Sequence, residues 1–139
     1  VNIDVIYSPS DKQVALVTDG LRSYNRPHLE DIQSEQILFL LREADDVIAG
    51  CSGRLFGQWF CIQYLWVDEK LRGTGVGSQL MTATENHIIE KGCKKVLVDT
   101  LSFQALPFYK KLGFEERMTL DDYPIPDMKI YFLVKTLDA

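Results

Sequence analysis

Apolar and polar positions change their period several times along the chain, and each change predicts an element. Residues 2–7 alternate, Ile3, Val5 and Tyr7 against Asn2, Asp4 and Ile6, which predicts a short first strand closed by Ser8-Pro9-Ser10. From Ser10 or Asp11 to about Leu21, Val14, Leu16, Val17 and Leu21 recur at helical spacing, and Pro27 is expected to stop any continuation. Residues 35–42 and 46–51 flank an acidic turn, Glu43 to Asp46, as in a β-hairpin. Gly50, Gly53 and Gly57 punctuate the third strand, and a fourth is expected over Trp59 to Val67.

Beyond Val67 a polar, glycine-rich segment from Asp68 to Gly77 leads into Ser78 to Lys91, free of proline and glycine until Gly92, and therefore a helix with a glycine stop. Lys94 to Thr100 reads as a fifth strand and Phe103 to Lys111 as a short helix stopped by Gly113. Phe114 to Met118 and Lys129 to Leu137 read as a closing strand pair. The order implies a mixed α/β fold in which the fourth and fifth strands run parallel across a right-handed crossover.

Composition narrows the class. A chain of 139 residues, 46% hydrophobic and 25% charged, has the size and make-up of one domain with a continuous core, so a single domain over residues 1–139 is expected. The net charge of −5 supplies no basic face to neutralise phosphates, and nucleic acid is not an expected partner. Even the run Ile37 to Leu41, which no aliphatic or aromatic run exceeds, is far too short to span a bilayer, and no basic-then-apolar leader opens the sequence, so no membrane partner is expected. Cys51, Cys61 and Cys93 are odd in number and form no C-x-x-C pair. Reduced thiols in the cytoplasm are expected, with no metal site.

The segment Tyr64 to Ser78 carries the chemistry. It is a strand that ends in a loop opening a helix, where unpaired backbone N–H groups and the helix dipole attract an anion. Gly73, Gly75 and Gly77 let the backbone approach a phosphate, and Arg72 adds a charged fork. A Walker A loop would need a lysine that is absent here. The dinucleotide fingerprint lacks its third glycine, whether begun at Gly73, where it reaches Ser78, or at Gly75, where it reaches Leu80.

Arg72-Gly73-Thr74-Gly75-Val76-Gly77 after an apolar strand resembles the R/Q-x-x-G-x-G/A signature of the GNAT (Gcn5-related N-acetyltransferase) superfamily. Ala105 to Phe114 resembles that family's A-x-x-F-Y-x-K-x-G-F helix and turn. The two motifs and the elements between them cover about residues 60–118. The resemblance implies a GNAT-type acyl-CoA N-acyltransferase fold: a twisted, mostly antiparallel sheet, flanked by helices, that splays between its parallel fourth and fifth strands. It implies acetyl-CoA as co-substrate, its pyrophosphate on Arg72, Gly73, Thr74, Gly75, Val76, Gly77 and Ser78 and its pantetheine arm along Leu65, Trp66 and Val67. Ser102, where many members carry asparagine, and Phe108 complete the cofactor-binding positions. Homodimerisation is plausible by the same resemblance, and exposed sheet edges give it a route.

Acetyl transfer to an amine needs a neutral amine, a stabilised oxyanion and a proton for the departing thiolate. Holding an alkylamine neutral at pH 7 costs about 4.6 kcal/mol. By resemblance Tyr109 is the catalytic acid beside the sulfur and the Val67 N–H serves the oxyanion; read from the residues alone, Tyr109 could equally be an amphipathic core residue. Asp99, Glu69 and His28 are candidate bases, none singled out, and His87 is expected to be structural. The Asp121-Asp122 loop, in a region that lines the acceptor site in related folds, could attract a cationic amine or be a solvated turn. Cys61 and Cys93 are read as thiols in or near the core, not nucleophiles. The expected activity is direct transfer from acetyl-CoA to an amine, a small molecule in the first instance. A protein lysine or amino terminus as acceptor, and a non-catalytic acyl-CoA-binding module, are the alternatives.

Overall fold

Ser34–Glu43 (β1) and Asp46–Phe56 (β2) form the predicted hairpin, turning through Ala44, and Trp59–Val67 (β3) folds back on β2. The computed structural model of the protein describes residues 1–137, and the chain divides into two compact units, one of residues 1–32 and one from residue 33 onward. The second unit continues with Val76–Glu90 (α2), Lys95–Leu101 (β4), Leu106–Lys111 (α3), Glu115–Asp121 (β5) and Lys129–Thr136 (β6). Its six strands lie in the order β1-β2-β3-β4-β6-β5. Every pairing is antiparallel except β3 with β4, the arrangement expected from the strand-helix-strand run at the glycine-rich loop.

The alternation along each strand sorts the sheet into two faces. On one face Ala49, Cys51 and Leu55 of β2, Phe60 of β3, Val96 of β4 and Leu133 of β6 are buried beneath Leu80, Met81 and Ile88 of α2. Tyr109 of α3 and Phe114 join the same core. Gly53 is required by this packing. A Cβ there would lie 2.5 Å from the Phe60 ring and 2.6 Å from the Cys61 carbonyl oxygen, so the ring covers the bare backbone. The two helices end where glycine was expected to stop them: Gly92 and Gly113 take φ of 90° and 97°, a region that an L side chain enters only with strain.

The first unit departs from expectation twice. Residues 2–7 pair with nothing and form no strand; alternation gives a segment two faces, but a strand exists only where a neighbour takes its hydrogen bonds. The helix, Asp11–Leu29 (α1), runs past Leu21 and through Pro27. It is firmly begun by a capping box in which Ser10 accepts from the Gln13 N–H and the Gln13 side chain accepts from the Ser10 N–H. Pro27 removes only one hydrogen bond near the end of an exposed helix, where water can serve the freed carbonyl. With the expected first strand absent, the expected fourth and fifth strands are β3 and β4.

Replacing Gly53 with alanine forces Phe60 or the β3 backbone to move. The substitution is expected to destabilise the fold by about 1–3 kcal/mol, measured as a lower urea midpoint at unchanged slope.

Candidate active site

The site starts from a strand pairing that stops early. β3 and β4 are in register only at Trp59-Lys95, Phe60-Val96 and Cys61-Leu97. Just beyond, the β2-β3 register shifts so that Gln63 is an extra residue in β3, a bulge that bends the strand and increases its twist. Residues 62–67 therefore part from β4. The Asp68 N–H donates to the Ile48 carbonyl at 2.8 Å, and backbone direction alternates along a strand. Leu65 and Val67 thus turn their N–H and C=O groups away from β2, towards the gap, while those of Trp66 face β2. A cleft of about 360 Å³ opens where the strands part, lined by Cys61, Ile62, Gln63, Tyr64, Leu97, Val98, Asp99 and Phe132.

At the end of β3 the chain is drawn into the predicted anion loop. Asp68 accepts from the Lys70 N–H at 3.0 Å and opens a single 3₁₀ turn, Glu69–Leu71. The Thr74 hydroxyl donates to the Leu71 carbonyl, which holds the loop's curvature. Gly73 and Gly75 have φ of 79° and 87°, and no atom lies within 4 Å of where a Cβ would stand on either. The bare surface is open to a ligand. Gly75 is the N-cap of α2 and offers no side-chain bond; the first backbone donor satisfied within the helix is Gln79, to Gly75 at 3.0 Å. The N–H groups of Val76, Gly77 and Ser78 are thus unpartnered among the described residues, with exposed Arg72 beside them.

The second motif packs onto the first. A Cβ on Gly77 would lie 3.0 Å from the Phe108 ring and 3.5 Å from Val67 Cγ2, so the α3 ring rests on the first turn of α2 at the end of β3. Pro107 sits in the first turn of α3, where its missing N–H is harmless. The helix is anchored through Thr100 and Gln104: the Ala105 N–H donates to Thr100 Oγ1 at 3.2 Å, and Gln104 Oε1 accepts from the Leu101 N–H at 2.8 Å. Neither residue stood out in the sequence; a buried threonine at a strand end has no motif of its own.

Tyr109 is buried, its ring edge-on to Phe108 and Phe114 at centroid distances of 5.3 and 5.4 Å. Burial first, then the nearby Cys51 and Asp99, pushes the phenol well above the usual tyrosine range. It is therefore held neutral. Ser102 is occupied otherwise: its hydroxyl accepts from the Lys129 N–H at 3.2 Å and its N–H donates to the Lys129 carbonyl at 2.9 Å, tying β4 to β6.

Of the expected bases, Asp99 lines the cleft and Glu69 stands in the 3₁₀ turn, while His28 belongs to the last turn of α1. His87 packs against Phe39 at 5.6 Å, a structural contact. Asp121 pairs with Lys129 at 3.1 Å and Asp122 accepts from the Asp127 N–H at 3.2 Å, so both carboxylates hold their own turn. Cys51 and Cys93 are buried, and burial raises the Cys51 thiol to about 11. Cys61, partly buried on the cleft wall, is raised for the same reason. No described cysteine is poised as a thiolate, and no group of three or more His, Cys, Asp or Glu among the described residues could hold a metal.

A strand splay, an open helix N-terminus and a buried neutral phenol are thus built by one contiguous stretch. The model of the acetyltransferase (GNAT) domain matches residues 34–116, which contain all three. The chain belongs to the GNAT acetyltransferase family.

Similarity to individual acetyltransferases agrees. Blasticidin-S acetyltransferase of Streptomyces morookaense is 36% identical over 96 residues, 68% of this chain and 70% of that one. A crystal structure of an acetyltransferase from Bacillus cereus is 32% identical, with a TM-score of 0.81 over 96% of this chain and 98% of that one. A Bacillus anthracis protein solved in complex with acetyl coenzyme A shares the fold at 21% identity and TM-score 0.65, over 74% and 63% of the two chains. This GNAT enzyme is an acetyltransferase with acetyl-CoA as its co-substrate. The unpartnered N–H groups of α2, the two left-handed glycines and Arg72 fit a pyrophosphate in charge and in hydrogen-bond donors.

Two measurements check this geometry. Gly75→Glu places a strained, anionic side chain at the α2 N-terminus and is expected to weaken acetyl-CoA binding by at least about tenfold, ~1.4 kcal/mol, in calorimetric titration of folded protein. For Tyr109 the sign is set by the raised pKa: the unfolded chain loses this proton near 10.0 and the folded chain holds it. Its burial therefore supports the fold fully below pH 10, and that support is lost as pH rises beyond it. Urea midpoints measured upward from pH 9 are expected to fall less steeply in Tyr109→Phe than in the parent.

Proposed function

We propose that the enzyme transfers the acetyl group directly to the amine of a small molecule bound in the splay. Asp99 carries the reading: it is the one carboxylate on the cleft wall, beside the aromatic Tyr64 and Phe132. The cavity's volume of about 360 Å³ is of small-ligand size. An acidic wall with aromatic faces favours a cationic amine over an anionic or neutral acceptor. The likeness to blasticidin-S acetyltransferase supports a small acceptor as well.

In this reading Arg72 and the N–H groups of Val76, Gly77 and Ser78 hold the pyrophosphate of acetyl-CoA, which supplies the activated acetyl group, while Gly73, Thr74 and Gly75 shape the loop around it. The gap-facing backbone of Leu65 and Val67 pairs with the pantetheine arm. Trp66, whose backbone serves β2, contributes through its side chain or not at all, and Ser102 acts by fixing β4 to β6. Phe108 shapes the wall behind Gly77. The Val67 N–H stabilises the oxyanion, and Tyr109 delivers the proton to the departing thiolate. Asp99 draws the amine in and takes its proton directly or through water. We infer that residues 1–139 act together as one acetyltransferase domain. A cytoplasmic setting suits its three free cysteines.

The test is thiol release from acetyl-CoA with a panel of small amines. Turnover is expected with amine-bearing cations, rising with pH as the amine loses its proton. Tyr109→Phe is expected to lower kcat by about 10²-fold or more with acetyl-CoA affinity unchanged. Tight acetyl-CoA binding without thiol release for any small amine would sink the proposal.

A further inference from the structure

Where β4 loses β3, its backbone is left with an open edge. The Lys95 N–H donates to the carbonyl of Gln58, just ahead of β3, at 3.2 Å, and backbone direction alternates along a strand. Leu97, Asp99 and Leu101 therefore turn their N–H and C=O groups to the β3 side. Ser102 turns the other way, its N–H donating to the Lys129 carbonyl of β6 at 2.9 Å. Since pairing with β3 ends at Leu97, the backbone of Asp99 and Leu101 faces the gap, as that of Leu65 and Val67 does from the opposite strand.

One residue serves both groups of Leu101. The Gln104 N–H donates to the Leu101 carbonyl at 2.9 Å, and Gln104 Oε1 accepts from the Leu101 N–H at 2.8 Å. The Gln104 side chain thus folds back from the head of α3 onto the gap edge of β4. Its orientation is fixed by its partners. A backbone N–H can only donate, so the carboxamide oxygen must face Leu101. Thr100 Oγ1, which accepts from the Ala105 N–H at 3.2 Å, has its own hydrogen left for that same oxygen, 3.4 Å away. Gln104 is exposed, and its Nε2 is left with no acceptor among the described residues. Closing this turn needs only an oxygen, which a glutamate would supply equally. The fold itself gives the amide nitrogen no task.

We propose that Gln104 binds the pantetheine arm of acetyl-CoA, its Nε2 donating to an amide carbonyl of the arm at the end of β4. This rests on the arm lying in the gap, as proposed above. The arm carries amide carbonyls, acceptors that a side-chain N–H on the β4 edge can meet while the backbone of Leu65 and Val67 holds the β3 side. A carboxamide already clamped through its oxygen loses little freedom when its nitrogen donates. The contact also links cofactor to catalytic helix, because the turn that Gln104 closes leads directly into α3, which carries Phe108 and Tyr109. Ser102 cannot take this part, since its hydroxyl and N–H are both committed to Lys129.

Gln104→Glu separates the two ends of the side chain: it keeps an oxygen for the Leu101 N–H and the Thr100 hydroxyl but removes the donor. Its urea midpoint is expected to match the parent's, while its affinity for coenzyme A, measured by calorimetric titration, is expected to fall about tenfold. Adenosine 3′,5′-bisphosphate, which carries phosphates but no pantetheine arm, is expected to bind parent and variant alike, which separates loss of the arm contact from added negative charge. Gln104→Met, lacking both oxygen and donor, is expected to lower the urea midpoint as well as coenzyme A affinity. Equal coenzyme A affinity in Gln104→Glu and parent overturns the proposal and leaves the wider reading of the site standing. An equal loss for the bisphosphate overturns it too, as does an effect confined to the KM of the amine, which would put Gln104 on the acceptor. A folded parent that binds no coenzyme A overturns the proposal and the wider reading together.

Discussion

The rest of the catalytic unit depends on how soon β3 and β4 stop pairing. After three residue pairs the bulge at Gln63 turns β3 away, and backbone groups that a longer ladder would have consumed are left facing a gap. The same divergence sets where the helices start. α2 opens at the end of β3, so its unpaired N–H groups lie at one end of the gap, and α3 brings Phe108 onto the first turn of α2. Had β3 and β4 remained in register to Val67, the gap would be a filled ladder and the loop would have no cleft to serve.

Keeping that gap open requires support on both sides. On the β3 side, Gly53 lets Phe60 lie across β2 just before the bulge, so the strand is held firmly up to the point at which it bends. On the β4 side, β6 pairs along the whole of β4 from Lys95 to Leu101, and Ser102 fastens the end. β4 is therefore satisfied along one edge even where it has lost β3. The cost of an interrupted parallel pairing is borne by a strand that is otherwise fully bonded.

How far the sequence revealed this follows from the range of the forces involved. The anion loop was legible because left-handed glycines and an uncapped helix start are local requirements, visible in six consecutive residues from Arg72 to Gly77. The stops at Gly92 and Gly113 were legible for the same reason. The bulge was not, because Gln63 is an ordinary strand residue whose extra place exists only relative to β2. Residues 2–7 failed in the opposite way: their alternation is real, but no strand beside them completes it. Pro27 misled because its cost in a helix depends on exposure, and both it and its neighbours Arg26 and His28 are exposed. Asp121 and Asp122 were ambiguous as a sequence pair, and Lys129 and the Asp127 N–H, both from the far side of the turn, resolve them as turn residues.

In the proposed reaction a buried phenol at Tyr109 has one advantage over an exposed one. A tyrosine in water near pH 7 is also neutral, so protonation state alone does not require burial. What burial adds is position: the ring is held between Phe108 and Phe114, so fixing its hydroxyl does not incur the entropy loss of a mobile side chain. Burial is the main resistance to ionisation, with smaller contributions from Cys51 and Asp99. In the proposed transfer a thiolate formed near the phenol would meet the same penalty, and moving the proton from oxygen to sulfur leaves the total charge unchanged. The site thus disfavours both anions, and the proposed transfer is driven only when the thiol is the better holder of the proton. With ordinary pKa values near 8.5 for a thiol and 10 for a phenol, that order is uphill in water by about 2 kcal/mol. Raising the phenol further would make it steeper unless the thiolate is desolvated to the same degree, so Tyr109 can act as the acid only if the sulfur departs into the same dry pocket.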